Sequence, residues 1–133
     1  YDNQLLLNYK NRHSSAPMSY IEMKGNEVFK LAVNIMNDVV DEVLDICQLE
    51  KKDIQWLLPH QANIRIIQAI AKKLQLPMSQ VIVTIEAQGN TSAASIPIAL
   101  DHCIKSQQIK SGDKLLLESF GGGLTWGALV LQY

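Results

Sequence analysis

Apolar residues recur at every third or fourth position over two segments of the chain, which is the spacing of one face of an α-helix. From Asn26 to about Leu49 this repeat predicts a long amphipathic helix whose acidic residues lie mostly on the opposite face. A second helix is predicted over 61–75. Small and hydroxyl residues open a third helix over 91–106, in which Pro97 is expected to remove one backbone hydrogen bond and to bend the axis. The predicted buried positions are Val28, Ala32, Ile35, Val39, Val43 and Ile46 in the first helix, and Ile64, Ile67, Ala71 and Leu74 in the second.

Short runs of apolar and β-branched residues alternate with these helices and predict strands. The Ser-, Asn- and Pro-rich stretch 10–20 predicts a loop after the first of them. The resulting order is β–loop–α–β–α–β–α–β–β, which is typical of an α/β domain with a mixed sheet of about four to five strands layered with helices. The predicted strands lie at 1–9, 54–58, 81–86, 114–120 and 126–133.

Composition narrows the classes of function. A chain of 133 residues with 47% hydrophobic and 19% charged side chains has the size and balance of one globular domain. A net charge of −1 provides no global field that would favour nucleic acid or an anionic membrane as a partner. Since no apolar run approaches the roughly 18–20 residues of a membrane span and no signal peptide is recognisable, we expect a cytoplasmic protein.

The two cysteines do not predict a nucleophile. Cys47 and Cys103 lie within predicted helices without CxxC spacing, so two buried free thiols are expected, with a disulfide between them as the open alternative. Neither lies at a strand end or a helix N-terminus, where a thiol pKa is lowered. The chain begins with Tyr1, which suggests a fragment, a processed product or a trimmed piece of a longer protein.

His60 and Asn90 each follow a predicted strand and precede a predicted helix. Ligands bind at that end of the strands in open α/β sheets, and two neutral N–H donors on neighbouring strands could stabilise one oxyanion. Alternatively, His60 caps or packs a turn, and Asn90 after Gly89 is an N-cap or turn residue. Metal binding by His60 is weakly supported, because His13 and His102 lack a recognisable ligand spacing.

Three consecutive glycines in 120-FGGGLTWG-127 exceed what a hairpin turn needs. We expect backbone N–H groups of this segment to approach a ligand closely. Dinucleotide and P-loop motifs do not fit, because no helix and no GK[ST] follow the glycines.

Four segments together resemble the β-ketoacyl-acyl carrier protein synthase III family of condensing enzymes, which belong to the thiolase superfamily. They are GNEVFK (25–30), PHQANIRI (59–66), GNTSAAS (89–95) and FGGGLTWG (120–127), and the resemblance runs from about Tyr1 to Tyr133. It implies that residues 1–133 form the thiolase-like C-terminal half of such an enzyme, and that the N-terminal half with the catalytic cysteine is absent.

The resemblance also implies roles for individual residues. His60 and Asn90 match the His and Asn that hydrogen-bond the malonyl thioester, and Gly122 matches a glycine whose backbone N–H helps hold the second oxyanion. Phe120 matches a residue packed against the catalytic cysteine, whereas Leu124 stands where Phe is more common. The pantetheine tunnel is matched by Gly25, Phe29 and Asn63, and the basic surface that docks the acidic carrier protein by Lys30, Arg65, Lys72 and Lys73.

The implied activity begins bacterial fatty acid synthesis by condensing an acyl-CoA with malonyl-acyl carrier protein, without a cofactor or metal. Its implied partners are the acyl carrier protein, the N-terminal half and, in the complete enzyme, a second copy as homodimer. Two alternatives stay open: another thiolase-superfamily condensing enzyme with a polyketide or quinolone starter, and a non-catalytic carrier-binding domain. Alone, the chain is expected to lack condensing activity and to expose apolar surface and an incomplete sheet edge.

Overall fold

A computed structural model describes residues 7–11 and 19–133, with side chains from Met23 onward. Short 3₁₀ turns lie at Lys51–Asp53, Met78–Gln80 and Ser92–Ala94. The helices are α1 (Gly25–Cys47), α2 (Ile64–Lys73), the single turn α3 (Ile85–Gln88) and α4 (Ser95–Lys105), and the strands are β1 (Leu7–Asn11), β2 (Ser19–Met23), β3 (Trp56–Pro59), β4 (Lys114–Gly121) and β5 (Thr125–Gln132).

A mixed sheet of three strands in the order β3–β4–β5 forms the centre of the domain. β3 runs parallel to β4, with Pro59 opposite Glu118, and β5 returns antiparallel after a tight turn. The predicted mixed α/β architecture is therefore confirmed, but the sheet has fewer strands than the four to five expected. Within the described residues β5 is an edge strand, and the side chain of Leu129 on it is 51% exposed.

Helices cover both faces of this sheet. The alternation of side chains along β4 places Leu116 against α1 and α2, whereas Leu115 and Leu117 pack on the other face against Ala99 and Cys103 of α4. The sheet separates these two apolar clusters, as the predicted layering of sheet and helices requires. In this arrangement the carboxyl end of β3 lies between the start of α2 and the start of α4.

The buried stripe of α1 is rotated from the predicted one. The most buried residues of α1 recur every four positions. Ile46 does not lie on this stripe, and 74% of its surface is exposed. The neighbouring Cys47 is a free and exposed thiol, so the expectation of burial was wrong for this cysteine, whereas Cys103 is free and buried. The central buried positions are Ala32, Met36, Val40 and Leu44.

The predicted strand 81–86 is not a regular strand. Val81 makes a single parallel bridge to Leu57, and the N–H of Ile82 donates to the Leu57 carbonyl at 2.8 Å. The pairing then stops, because the next backbone N–H groups bond to a side chain and the chain turns into α3 at Ile85. Val81, Ile82 and Thr84 are buried as expected, whereas Glu86 is exposed, and burial with β-branching does not by itself make a ladder.

In the amino-terminal part, β2 is a strand that the sequence did not indicate. It pairs antiparallel with β1, so part of the predicted loop 10–20 belongs to these two strands. The remainder of that loop at 12–18, and residues 1–6 of the predicted edge strand, lie outside the described residues.

Two helix starts also differ from expectation. α2 begins at Ile64, three residues later than predicted, because Asn63 caps it by accepting from the N–H groups of Arg65 and Ile66. α4 begins at Ser95, so Pro97 lies in its first turn, where the N–H has no partner within the helix anyway. The expected loss of a hydrogen bond at Pro97 therefore does not arise. None of the helices among the described residues is long and apolar enough to cross a membrane.

Candidate active site

His60 occupies the turn between β3 and α2. Its backbone N–H continues the pairing with β4 by donating to the Glu118 carbonyl at 2.8 Å, and its carbonyl accepts from the N–H of Ala62 at 2.8 Å. Pro59 ends β3, and two hydrogen bonds fix the backbone immediately after it. The turn is therefore held rigidly at the carboxyl end of the sheet, the position where ligands bind in open α/β sheets.

The His60 ring is half-buried and held at one nitrogen. Nδ1 lies 2.6 Å from the Oγ of Ser95, the first residue of α4. Burial lowers the pKa of the imidazole from its usual 6.5, which favours the neutral ring at neutral pH. The ring makes a T-shaped contact with Phe120 of β4, with centroids 6.0 Å apart and planes at 73°. The second nitrogen, Nε2, is the one left to serve a ligand.

Gln61 is a buried amide that joins the His60 turn to the segment before α3. Its Nε2 donates to the carbonyls of Pro59 at 2.8 Å and Ile82 at 3.2 Å. Its Oε1 accepts from the N–H groups of Thr84 at 2.8 Å and Ile85 at 3.1 Å. Both amide hydrogens and both lone pairs of the oxygen are thereby used. The side chain of Gln61 thus holds the irregular segment 81–84 next to the His60 turn, in place of the hydrogen bonds that strand pairing would supply.

Asn90 is held against the same turn. Its Nδ2 donates to the Ala62 carbonyl at 3.3 Å, and its Oδ1 accepts from the N–H of Ser92 at 2.9 Å. These partners fix which end of the amide is nitrogen and leave the second Nδ2 hydrogen available. Gly89 before it has φ of +67°, as expected for the glycine of this turn. The turn role and the donor role of Asn90 are thus compatible.

The glycine run forms the turn between β4 and β5. Gly123 has φ of +152°, and a side chain there would meet the backbone nitrogen of Thr125 at 3.0 Å. Local geometry therefore accounts for Gly123 without a ligand. Gly122 is exposed just beyond the end of β4, two residues after Phe120, whose ring contacts His60. The turn consequently lies near the imidazole, and the approach of Gly122 to a ligand stays a prediction.

Apart from Phe120 on β4, the residues predicted to bind substrate and carrier protein lie on α1, on α2 and at the N-cap of α2. The guanidinium of Arg65 lies 5.9 Å from the centroid of the Phe29 ring, which brings two of them together. Lys73 donates to Asn34 of α1 at 3.0 Å, and Asn63 caps α2. Three further predicted positions, Gly25, Lys30 and Lys72, are exposed.

The described residues contain donors but no activated thiol. Burial raises the pKa of Cys103, whose Sγ lies 3.3 Å from the side-chain oxygen of Gln108, so this thiol is less prone to form a thiolate. No group of three His, Cys, Asp or Glu side chains within the described ranges is arranged to hold a metal ion.

Two functional candidates, Gln61 and Ser95, were missed in the sequence. Gln61 carried a usable signal, since an amide that directly follows a strand and a histidine needs partners if it is buried. Ser95 carried none, because it is separated from His60 by 35 positions and small residues in a helix usually indicate close packing.

Residues 44–133 match the family model described as 3-oxoacyl-[acyl-carrier-protein (ACP)] synthase III C terminal. The chain is 59% identical over 125 residues to the beta-ketoacyl-[acyl-carrier-protein] synthase III of Alkalilimnicola ehrlichii, covering 94% of this chain and 38% of that protein. The enzyme of the same name from Baumannia cicadellinicola is 52% identical over all 133 residues, which cover 42% of its length.

The fold agrees with solved structures of the same family. The 3-oxoacyl-[acyl-carrier-protein] synthase III of Aquifex aeolicus superposes with a TM-score of 0.87 at 48% identity, covering 96% of this chain and 40% of that one. The thiolase-like fold expected from the sequence is thereby confirmed. The chain spans about two fifths of the length of the relatives it matches. From the family model and these relatives, the chain belongs to the 3-oxoacyl-[acyl-carrier-protein] synthase III family and corresponds to its C-terminal part.

Proposed function

We propose that this chain supplies the enolate-stabilising part of an enzyme that condenses an acyl-CoA primer with malonyl-acyl carrier protein at the start of fatty acid synthesis. One observation carries the proposal: His60 and Asn90 are tied to one turn, because Ala62 donates its backbone N–H to the His60 carbonyl and accepts from Asn90 Nδ2 through its own carbonyl. Nε2 of His60 and the second Nδ2 hydrogen of Asn90 are left to serve a ligand. Family membership and the names of the relatives support the reaction class.

In the proposed reaction His60 Nε2–H and Asn90 Nδ2–H donate to the thioester oxygen of the malonyl group. The bond between the carboxylate carbon and the α-carbon breaks, CO2 leaves, and its electron pair passes into the enolate whose oxygen these donors stabilise. The enolate carbon then attacks an acyl group held as a thioester on a cysteine from the N-terminal half, and the cysteine thiolate leaves. A neutral imidazole suits this donor role, and burial favours that form.

Other residues of the chain would assist on the acyl side. Gly122 would donate its backbone N–H to the second oxyanion, and Phe120 would pack against the cysteine of the other half. The pantetheine arm would pass Gly25, Phe29 and Asn63, with Asn63 serving there in addition to capping α2. The cation held over Phe29 favours a docking surface for the acidic carrier protein, formed by Lys30, Arg65, Lys72 and Lys73.

The test replaces His60 and Asn90 separately by Ala in the complete enzyme that contains this chain. Because each would remove one transition-state donor, condensation should fall by roughly 10²–10³-fold while carrier protein still binds. His102→Ala is the matched control, since His102 is an exposed histidine on α4.

Full activity in both variants would refute the donor roles. If neither the variants nor the parent enzyme condenses any primer, the remaining interpretation is a non-catalytic domain that only binds the carrier protein. If turnover occurs with a polyketide or quinolone starter alone, the related class of condensing enzyme replaces the fatty acid one, and His60 and Asn90 keep their roles.

A further inference from the structure

We propose that Ser95 is a positioning residue that keeps the His60 imidazole in the tautomer with its proton on Nε2. The inference rests on the proposed function, in which Nε2 faces the substrate. It concerns a residue outside the donor pair, contributed by a different helix.

The geometry of the contact is tight. Ser95 Oγ lies 2.6 Å from Nδ1 of His60, and the serine is 1% exposed. For a hydrogen bond between an oxygen and a nitrogen this distance is short, and it leaves no room for an intervening group. Because Ser95 is the first residue of α4 and that helix packs on the sheet through Ala99 and Cys103, its hydroxyl is fixed by the fold.

The direction of this hydrogen bond follows from the other partner of the hydroxyl. The backbone N–H of Gln61 donates to Ser95 Oγ at 3.2 Å, so the oxygen already accepts one hydrogen bond. A hydroxyl has one hydrogen to donate, and among the described residues Nδ1 is the acceptor within reach of it. Donation from Oγ–H to Nδ1 leaves the proton of the neutral ring on Nε2. The opposite tautomer would leave the buried hydroxyl hydrogen without an acceptor, which costs free energy.

The tautomer of His60 decides whether Nε2 can donate to the substrate. An Nε2 that carries hydrogen donates to a thioester oxygen, whereas an Nε2 that carries a lone pair would repel the enolate. The same contact limits rotation of the ring, so the donor is oriented before the substrate arrives. Ser95 thus acts through His60 and touches neither substrate nor reacting atoms.

The first experiment reads the tautomer directly in the unaltered complete enzyme. The ¹⁵N chemical shifts of His60, assigned with His60→Gln as reference, distinguish a protonated from an unprotonated ring nitrogen. A protonated Nε2 and an unprotonated Nδ1 near neutral pH are expected. A proton on Nδ1 in place of Nε2 would overturn the inference and the donor role of His60 Nε2–H with it, whereas the need for His60 in condensation is decided separately by His60→Ala.

The second experiment compares Ser95→Ala with Ser95→Thr, which keeps a hydroxyl. Ala should lower kcat by about 10- to 100-fold, less than loss of the donor itself, with KM for malonyl-carrier protein nearly unchanged and a mixture of His60 tautomers. Thr should restore most of kcat and the single tautomer. An unchanged kcat in the Ala variant, or an equal loss in both variants, would overturn the inference.

The two proposals fail separately. If His60→Ala retains condensation, the proposed function fails whichever tautomer is found. If His60→Ala is inactive while Ser95→Ala behaves as the parent, the proposed function stands and only the role of Ser95 is lost. Should Ser95→Ala not fold, the tautomer of the unaltered enzyme still decides.

Discussion

The side-chain oxygen of Gln61 accepts the backbone N–H of Thr84 at 2.8 Å, and this contact substitutes for strand pairing beside the candidate active site. With three further hydrogen bonds the same amide links the His60 turn to Ile82 and Ile85. Asn90 lies a few residues further along the chain. The relative position of the two proposed donors therefore depends on one buried glutamine.

Gln61→Met keeps a similar side-chain volume but removes all four of these hydrogen bonds. Since the stranded backbone groups lie in the interior, we expect a loss of stability on the order of 3 kcal/mol. Faster hydrogen exchange at the amides of Thr84 and Ile85 should accompany a lower melting temperature. The control is Gln68→Met, an exposed position on α2 that should change stability little. Equal melting temperatures for the two variants would contradict the role of Gln61.

The helices and the candidate site residues could be named from the sequence because they depend on local patterns. The spacing of apolar residues located α1 and α2, and the rule that ligands bind at strand ends directed attention to His60 and Asn90. The structure links these two for a different reason, since Asn90 follows the single turn α3 and bonds to the carbonyl of Ala62, whose N–H bonds to His60.

What could not be predicted depends on contacts between distant positions. The segment 81–86 has strand composition, but its N–H groups bond to Gln61, a side chain more than 20 positions away. The first two residues of β2 were predicted as loop and the rest were left unassigned, because pairing with β1 leaves no periodic signal in so short a segment. Exposure of Ile46 reflects the rotation of α1 against the sheet, which the helical period alone leaves free.

Reversal of charge at Arg65 tests the proposed carrier surface. The guanidinium lies over the Phe29 ring on the face of the sheet covered by α1 and α2. Arg65→Glu should weaken binding of the acidic carrier protein by about tenfold at low ionic strength and less at high salt, because salt screens such contacts. Titration at several salt concentrations measures both effects.

Lys105→Glu is the matched control for Arg65→Glu. It makes the same change of charge on α4, which packs on the opposite face, where Lys105 pairs with Asp101 at 2.8 Å. If both substitutions weaken the carrier complex equally, the effect is one of net charge and the docking surface is misplaced.

The outer edge of β5 predicts self-association when the 133-residue chain is prepared alone. Within the described residues this strand has β4 on one side only, and Leu129 on it is half-exposed. Apolar edge strands favour pairing between molecules, and a charged residue opposes it. Leu129→Lys should therefore shift sedimentation towards monomer, whereas Gln68→Lys on α2 should not. A parent sample that is monomeric and melts cooperatively would contradict the prediction.

Glu118 of β4 lies opposite Pro59 of β3 and is only 2% exposed. Its Oε2 has no hydrogen-bond partner among the described residues. Burial raises its pKa from 4.5 to about 8, so the folded protein keeps the carboxyl protonated at neutral pH while the unfolded chain ionises. Between these two pH values the folded state binds more protons. Stability from this group is therefore complete below about pH 4.5 and is lost progressively as pH rises towards 8.

Glu118→Gln should remove this slope, because the amide does not titrate. The slope for one such group is about 1.4 kcal/mol per pH unit, so the variant gains on the parent by a few kcal/mol between pH 5 and pH 8. Unfolding in urea at several pH values measures the difference. A constant offset would reflect only the hydrogen bonds of the new amide, whereas the change of slope reports the buried carboxyl. The exposed control Glu86→Gln should leave the slope as it is, and an equal slope in the parent and in Glu118→Gln would show that Glu118 ionises normally.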